Sequence, residues 1–289
     1  VETSKKAPPG LESYLKQICE KDPLERLSAR EKELLWSFRD YCLESMPSAL
    51  AKVLSCVNWT QRDQVREVHR LVASHRKIHP YNAIQLLDYR FIDTRVRSYA
   101  VSCLEQLSDV KLVQLLLQLV QTLKFEAYYF NELALFLLKR AQNNPELVGH
   151  SLYWFLAAEM HDPKVSMQYS VLLEAFNRRT PNYFKDVIFP QNRVTAQLAS
   201  LSQQAKTAAP NQSQRTQFLR QQLTAQPIQF SSSSSSTSSC SKFSPFAKEF
   251  SLPINPKLKV SDLIVENCKV MDSFTCPLWL EFKNADICG

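Results

Sequence analysis

Residues 93–101 read DTRVRSYAV, and this stretch decides how the chain folds. Asp93 stands where its carboxylate can accept hydrogen bonds from the free amides of a helix's first turn. Behind it, Ala100, Val101 and Leu104 are apolar at the spacing of a helix face. The stretch therefore predicts a helix that begins after Asp93 and packs that face against a neighbouring helix.

The same helical pattern recurs along most of the chain. The sequence SARE at residues 28–31 is a capping box, in which Ser28 and Glu31 satisfy each other's backbone amides at a helix start. Further helices are predicted at residues 49–55, 61–74, 80–87, 108–123, 131–143, 145–160 and 164–178. Short connections between helices of this length are typical of antiparallel pairs stacked side by side.

The pattern D-x-x-V-R-x-x-A-V at residues 93–101 resembles one HEAT-type repeat, in which the Asp caps a helix and Arg97 can reach the neighbouring repeat. We therefore predict an all-α fold, a HEAT/armadillo-like right-handed stack of antiparallel helix pairs, followed by a short β segment. Only three glycines occur in the chain. Doubly wound nucleotide-binding folds need glycines at their phosphate turns, so that class of enzyme is strongly disfavoured.

The composition changes towards the end of the chain. Residues 183–226 are polar and Gln-rich, and they predict one or two long, partly exposed helices that Pro210 interrupts. Residues 231–239 are Ser apart from one Thr, and such a segment has nothing to offset its ordering entropy. Beyond it, residues 258–266 and 277–282 carry β-branched and aromatic residues typical of strands.

These changes predict four segments. They are a linker at 1–10, a helical domain at 11–226, a Ser-rich flexible loop at 227–242 and the first strands of a truncated second domain at 243–289. Strand edges without the rest of that domain are expected to be mobile or prone to aggregation. A chain that begins at Val1 and ends in mid-pattern at Gly289 is expected to be a fragment.

Charge, cysteines and histidines argue against several functions. The net charge is +7, but the basic residues form no stripe with interleaved aromatics, so no nucleic acid is expected. The eight cysteines form no CxxC pair and are expected to be reduced thiols of a cytosolic protein. His75 and His79 lack a third ligand, so no metal site is predicted. The apolar run at residues 112–123 is too short to cross a membrane.

Several segments together are similar to the phosphoinositide 3-kinase catalytic subunits. They are residues 31–39 (EKELLWSFR), 57–59 (VNW), 83–88 (AIQLLD), 93–105, 115–126 (LLLQLVQTLKFE), 136–141 (FLLKRA), 149–161 and 269–286. The resemblance covers about residues 15–180 and 250–288. It implies the helical accessory (PIK) domain of that family followed by the first strands of the kinase N-lobe.

The resemblance also implies a parent enzyme that transfers the γ-phosphate of ATP to the 3-hydroxyl of an inositol lipid, with Mg²⁺. The implied partners are a regulatory subunit, a Ras-type GTPase or G-protein and the inositol lipid substrate. The implied location is the cytoplasm, with peripheral recruitment to the plasma membrane. The chain itself is expected to lack the catalytic residues, to need no cofactor alone and to act as a scaffold.

Residues 270–279 (VMDSFTCPLW) resemble the family's phosphate-covering loop. In that family the residues at the positions of Met271 and Trp279 line the adenine pocket, and the residue at the position of Ser273 approaches the phosphates. Pro277 also matches the family's pattern. Many members carry a lysine between the Ser and the Pro. This chain has FTC at residues 274–276 instead. Second-class members of the family also lack that lysine. Its absence puts the binding of phosphate by this loop in question. The strand PLWLEF resembles the first class, especially its gamma type.

A second expected site is the start of the helix after residue 28. The alpha type of the first class has acidic residues there that meet a basic regulatory domain, whereas this chain has Arg26, Ala29 and Arg30. Positive charges at that contact would repel a basic partner. Two arginines beside the positive end of a helix hint at an acidic partner instead.

Three other classes of function stay open on the sequence. A non-catalytic HEAT-type adaptor explains the helices but not the strand-forming tail. A 4-kinase-like or protein-kinase relative shares the helical domain but not the PLWLEF strand. An independent small enzyme is least favoured, because His150 and His161 are expected to satisfy polar contacts on helix faces rather than to act as bases.

Overall fold

The computed structural model of the chain describes residues 8, 10–208, 210–225 and 250–285. The predicted Ser-rich loop at 227–242 and most of the predicted linker at 1–10 lie outside the described residues. By its internal contacts the chain divides into two compact units. One comprises residues 1–140 and 155–172, and the other comprises residues 141–154 and 173–289. The four predicted segments stay a prediction.

Helices make up most of the described chain. Their bounds are α1 Leu11–Glu20, α2 Ala29–Ser37, α3 Arg39–Ser45, α4 Leu50–Leu54, α5 Arg62–Ser74, α6 Pro80–Ala83, α7 Thr94–Leu104, α8 Asp109–Thr122, α9 Glu132–Asn143, α10 His150–Glu159, α11 Pro163–Arg179, α12 Pro181–Tyr183, α13 Phe189–Ala208 and α14 Gln212–Ala225. The predicted all-α fold with a short β segment is confirmed. The right-handed HEAT/armadillo-like stacking stays a prediction.

Helix starts follow the side chains that cap them. Ser28 accepts a hydrogen bond from the Glu31 amide at 3.3 Å, and the Glu31 carboxylate accepts one from the Ser28 amide at 2.8 Å. The carboxylate of Asp93 accepts from the amides of Arg95 and Val96 at 3.0 and 3.1 Å. Both caps satisfy amides that have no partner inside their helix, and both confirm the helix starts predicted from sequence.

The first unit is held by apolar helix faces. Their buried side chains include Leu35, Leu54, Leu71, Leu86, Leu104, Leu116 and Leu119. Tyr169 is fully buried as well, and its hydroxyl donates to the Val120 carbonyl at 2.8 Å. Burial of apolar surface of this kind is the main favourable term in folding.

A buried ion pair crosses the same unit. Arg97 on α7 is 4% exposed, and its guanidinium lies 2.7 Å from the carboxylate of Glu126. The same guanidinium donates to the carbonyls of Leu87 and Phe91, each at 3.0 Å. The Arg of the D-x-x-V-R pattern therefore reaches chain segments on both sides of its own helix. With these partners its charge is neutralised and hydrogen-bonded inside the core.

In the second unit, α13 ends at Ala208 and α14 begins at Gln212. This confirms the interruption predicted at Pro210. The apolar core of the unit joins the two helices to the β segment. Its buried members are Val194, Ala205, Leu219, Leu223, Phe250, Val260, Leu263, Cys268, Val270 and Cys276.

The strands of the described chain form two small antiparallel sheets. They are β1 Phe250–Leu252, β2 Asn255–Leu263, β3 Lys269–Val270, β4 Leu278–Trp279 and β5 Phe282–Asn284. One sheet has the order β1-β2-β5, and the other consists of β3 and β4. In the larger sheet Phe250 faces Val260, and Leu263 faces Phe282.

Two details of the strand prediction were wrong. The first predicted strand, at residues 258–266, ends at Leu263, and a turn at Val265–Asn267 follows it. The second, at residues 277–282, divides because β4 pairs with β3 whereas β5 pairs with β2. The chain changes its hydrogen-bonding partner between the two strands, which residue composition cannot indicate.

Candidate functional site

The hairpin of β3 and β4 carries the residues predicted to line a nucleotide pocket. Lys269 pairs with Trp279 and Val270 with Leu278. The loop between the strands is closed where the Met271 amide donates to the Pro277 carbonyl at 2.9 Å. Two of the predicted residues therefore meet at the base of the loop.

The loop turns tightly above that base. The Ser273 amide donates to the Met271 carbonyl at 3.1 Å, and the Cys276 amide donates to the Ser273 carbonyl at 3.0 Å. Cys276 has a φ of 50°, which is unusual for a residue other than glycine. Its side chain is 1% exposed, so packing holds it in this conformation.

The predicted pocket residues are on the surface. Met271, Ser273, Pro277 and Trp279 are all exposed, and Trp279 is 54% exposed. The Lys269 ammonium lies 5.6 Å from the centre of the Trp279 ring. The hairpin therefore offers an aromatic face and a hydroxyl to solvent, beside a cation.

A second cation lies beside the loop. The ammonium of Lys206 on α13 is 4.5 Å from the centre of the Phe274 ring, within the range of a cation–π contact. Phe274 occupies one of the three positions between Ser273 and Pro277 where the family resemblance led us to expect a lysine. A positive charge is thus present at the loop, although it comes from another part of the sequence.

Polar side chains on one face of α14 fix the hairpin. Gln212 donates to the Val270 carbonyl at 3.1 Å, and the Val270 amide donates to the Thr216 hydroxyl at 3.2 Å. One turn further, Arg220 donates to the Cys268 carbonyl at 2.9 Å. Residues 212, 216 and 220 are four apart, so they lie one above another on the helix.

These contacts cover the outer edge of β3. The outer edge is covered at Val270, whose amide and carbonyl both have partners on α14. The mobility or aggregation expected of the strand edges stays a prediction. Ser202 on α13 adds a hydrogen bond to the Cys276 carbonyl at 3.0 Å. Sequence reasoning missed these residues because it predicted only that the helices of this region are partly exposed, without naming polar side chains that make contacts. Their four-residue spacing is the signal that could have found them.

The predicted partner surface lies at the start of α2. Arg26, Ala29 and Arg30 are all exposed. Among the described residues, neither arginine side chain has a hydrogen-bonding or ion-pair partner. Arg26 also lines a cavity of about 380 Å³ together with Leu24, which is 85% exposed.

Glu31 is held beside this surface. It lies 3.0 Å from the Lys21 ammonium. Hydrogen bonds from the Ser28 amide, from Lys21 and from the Ser28 hydroxyl lower the pKa of Glu31 to about 2. Its charge is engaged by these groups, whereas Arg26 and Arg30 are exposed beside it, together with Lys32 and Glu33.

The histidines make structural contacts. One ring nitrogen of His150 lies 2.8 Å from the Pro253 carbonyl, and the other lies 2.9 Å from the Tyr183 hydroxyl. A carbonyl only accepts, so the first nitrogen carries the proton and the second accepts from the hydroxyl. Burial lowers the pKa of His150, which favours this neutral form. His161 contacts the Ala158 carbonyl at 2.8 Å.

Two structural features are absent from the part of the chain that the structure describes. No group of three or more His, Cys, Asp and Glu side chains in it is arranged to hold a metal ion. None of its helices combines the length and the apolar character that a membrane crossing requires.

The described chain is thus a mainly helical protein with a short antiparallel β segment, and comparison with protein families identifies its class. Residues 4–188 match the accessory domain (PIK domain) of the phosphoinositide 3-kinase family. The chain therefore belongs to the phosphoinositide 3-kinase family.

Similar proteins include three kinases of Dictyostelium discoideum. The chain is 35% identical to phosphatidylinositol 3-kinase 2 over 272 residues, which are 94% of this chain and 14% of that protein. It is 32% identical to phosphatidylinositol 3-kinase 3 (94% and 15%) and 31% identical to phosphatidylinositol 3-kinase 1 (96% and 16%). The chain thus spans about one seventh of the length of these relatives. The gamma-type assignment stays a prediction.

Proposed function

We propose that this chain is the helical scaffold region of a phosphatidylinositol 3-kinase, joined to the start of its nucleotide-binding lobe. In the intact enzyme the γ-phosphate of ATP passes to the 3-hydroxyl of an inositol lipid, and Mg²⁺ and basic groups neutralise the transferred charge. The chain by itself is inactive and contributes structure and partner docking.

One observation carries the scaffold role, namely the row of polar side chains on α14 that fixes the hairpin. Gln212, Thr216 and Arg220 satisfy backbone groups of residues 268 and 270. Phosphoryl transfer depends on positioning and on electrostatic stabilisation, so a loop that covers phosphates gains from a rigid support. In this proposal α14 supplies that support.

The exposed hairpin residues fit an ATP pocket shared with a further part of the lobe. Trp279 and Met271 offer apolar surface to the adenine, and Ser273 offers a hydroxyl to the phosphates. Lys206 supplies the positive charge that the loop itself lacks, which the 4.5 Å distance between its ammonium and the Phe274 ring supports.

The partners are proposed on the same basis. The free charges of Arg26 and Arg30 favour an acidic regulatory subunit over a basic one. A Ras-type GTPase or G-protein and the inositol lipid bind other parts of the intact enzyme. That enzyme is cytoplasmic and is recruited peripherally to the plasma membrane, as expected of a protein whose substrate is a membrane lipid.

The test compares this chain with a longer form that includes a complete kinase domain. Both are incubated with ATP, Mg²⁺ and vesicles that contain phosphatidylinositol, and 3-phosphorylated lipid is measured. We expect product from the longer form alone. Product from the 289-residue chain would contradict the scaffold role. Absence of product from both would favour the second candidate, a non-catalytic HEAT-type adaptor.

The role of Lys206 is tested in the active longer form. Replacement of Lys206 by Gln removes the charge and is expected to raise the KM for ATP about tenfold. A tenfold change corresponds to about 1.4 kcal/mol, which is the size expected for the loss of one charge contact. The exposed Lys185→Gln on the same unit is the control and should leave KM unchanged. Equal KM values for both variants would remove Lys206 from the nucleotide site.

A further inference from the structure

A surface cavity in the first unit is lined mainly by cationic side chains. It has a volume of about 380 Å³ and lies between the loop after α1, the helices α2 and α4 and residues 85–91. The charged residues that line it are Glu25, Arg26, Lys32, Lys52 and Arg90. Four of these five side chains are cationic, so the cavity attracts anions.

Two of these charges are already paired. The Glu25 carboxylate lies 2.7 Å from the Lys21 ammonium, so it does not neutralise the cations of the cavity. The guanidinium of Arg90 lies 3.0 Å from the carboxylate of Asp88. The cations that remain for a ligand are Arg26, Lys32 and Lys52.

Lys52 is the least exposed of the three remaining cations. Its side chain is half-buried, and its ammonium donates to the carbonyls of Lys21 and Asp22. An ammonium has three protons, so one is left for a further acceptor. No carboxylate of the described residues lies within ion-pair distance of it, and burial lowers the pKa of Lys52, which disfavours its charged form. An anion in the cavity would compensate this charge.

Arg26 and Lys32 add two exposed charges. Neither side chain has a hydrogen-bonding or ion-pair partner within the described part of the chain. A carboxylate neutralises only one of the three remaining cations, whereas a phosphate monoester carries about two negative charges at pH 7 and three acceptor oxygens. Both lysine and arginine are common binders of phosphate. The charge of the cavity therefore favours phosphate over carboxylate.

The cavity also has room and apolar surface for an organic group. Leu24 and Leu27 line it, and Leu24 is largely exposed. Small-molecule sites in proteins enclose about 300–1,000 Å³, so a volume of about 380 Å³ accommodates more than a phosphate ion. These features favour an ester, in which the phosphate is joined to an organic group.

We propose that this cavity is a binding site for a phosphate monoester. Arg26, Lys32 and Lys52 hold the phosphate, and the organic group packs against Leu24 and Leu27. The ester is either a soluble molecule or the headgroup of a membrane lipid, because both present the same charged oxygens. Arg26 also belongs to the surface proposed above for an acidic partner, and the cavity assigns it a second and smaller anion. The site does not depend on the lipid kinase assignment.

The first test measures the binding of glycerol phosphate to the 289-residue chain by isothermal titration calorimetry. We expect saturable binding at one site per chain. Citrate, an anion with carboxylates only, is the comparison and should bind at least about tenfold more weakly, because it cannot place the same charge on one group. Citrate binding as tight as that of glycerol phosphate would overturn the assignment to phosphate.

Vesicles distinguish the soluble source from the lipid source. Phosphatidylcholine vesicles with phosphatidic acid present the same monoester on a membrane, whereas vesicles with phosphatidylglycerol present a negatively charged diester. Binding of glycerol phosphate supports the soluble source, and preferential cosedimentation with phosphatidic acid supports the lipid source. If glycerol phosphate does not bind, then equal cosedimentation with both kinds of vesicle, or with neither, would overturn the proposal.

Two double variants test the residues of the cavity. Arg26→Gln with Lys32→Gln removes two of its charges and should weaken binding at least about tenfold. Arg62→Gln with Lys111→Gln removes two exposed charges of the same unit that do not line the cavity, and should leave binding unchanged. Since all four side chains are exposed, both variants are expected to fold, which circular dichroism checks. Equal losses in the two variants would indicate a general attraction of anions to a basic chain and would overturn the proposal, as would unchanged binding in both.

Discussion

The helices around α7 and the hairpin of β3 and β4 satisfy their backbone polar groups in different ways. A helix of eleven residues such as α7 forms its hydrogen bonds internally, and Asp93 provides partners for the amides left at its start. A strand of two residues such as β3 cannot form hydrogen bonds of this kind within itself. Its outer amide and carbonyl take their partners from Thr216 and Gln212.

This difference assigns different tasks to polar side chains in the two regions. Near α7, Arg97 and Glu126 are buried and must neutralise each other inside an apolar core. At the hairpin, single side chains complete the hydrogen bonding of the backbone. Loss of one partner of the ion pair leaves a buried charge without compensation, so the folded state is strongly destabilised. Loss of one side chain at the hairpin removes a single hydrogen bond and acts only on that part of the backbone.

The largest effect is expected from Arg97→Met, which leaves the Glu126 carboxylate buried without its partner. Loss of one member of a buried pair costs about 3–5 kcal/mol. Urea unfolding followed by circular dichroism measures the change. The double variant with Glu126→Leu should recover much of the loss. The exposed pair of Arg178 and Glu174 is the control, and Arg178→Ala should change the stability by less than about 0.5 kcal/mol. A similar small loss for Arg97→Met would show that the buried pair is not needed.

A smaller and local effect is expected from Thr216→Val, which keeps the side-chain shape and removes the acceptor of the Val270 amide. A buried donor left without a partner costs about 1–3 kcal/mol. Hydrogen exchange measured residue by residue should show the Val270 amide exchanging at least about tenfold faster. Thr207→Val is the matched control, because the Thr207 hydroxyl bonds only to carbonyls of its own helix. Unchanged exchange at Val270 would mean that α14 does not support the hairpin.

The smallest effect concerns the pH dependence of the capping box at α2. The folded state lowers the pKa of Glu31 from 4.5 to about 2, chiefly through the Ser28 amide and Lys21. The contribution of Glu31 to stability is therefore present above pH 4.5 and is lost as the pH falls towards 2. Acid unfolding of Glu31→Gln should be less steep in this interval, whereas the exposed Glu33→Gln should follow the unaltered chain. Identical curves for all three proteins would contradict the prediction.

The sequence predicted the features that depend on neighbours in the chain. Ser28 and Asp93 cap helices because their side chains reach amides two or three residues away. Pro210 separates α13 from α14 because its ring cannot continue a helix. The hairpin that carries Met271 and Trp279 was also predicted, through a pattern shared with the kinase family. Whether those residues bind a nucleotide stays a prediction.

Other features depend on residues far apart in the sequence. The contact of Lys206 with Phe274 and the support of Val270 by Thr216 join segments more than fifty residues apart. The change of strand partner between β4 and β5 likewise depends on which neighbour each strand meets. Composition predicted only that the helices of this Gln-rich region are partly exposed, because polar residues usually face water.

The sequence by itself therefore determined most of the helices, the caps at Ser28 and Asp93, the break at Pro210 and the family. Local geometry and apolar periodicity act over a few residues, and a single sequence contains that information in full. Only the tertiary structure decided that Arg97 meets Glu126 and that α14 covers the edge of β3. Each of these contacts requires the packed arrangement of distant segments, because burial and hydrogen bonding depend on distance in space and not on distance along the chain.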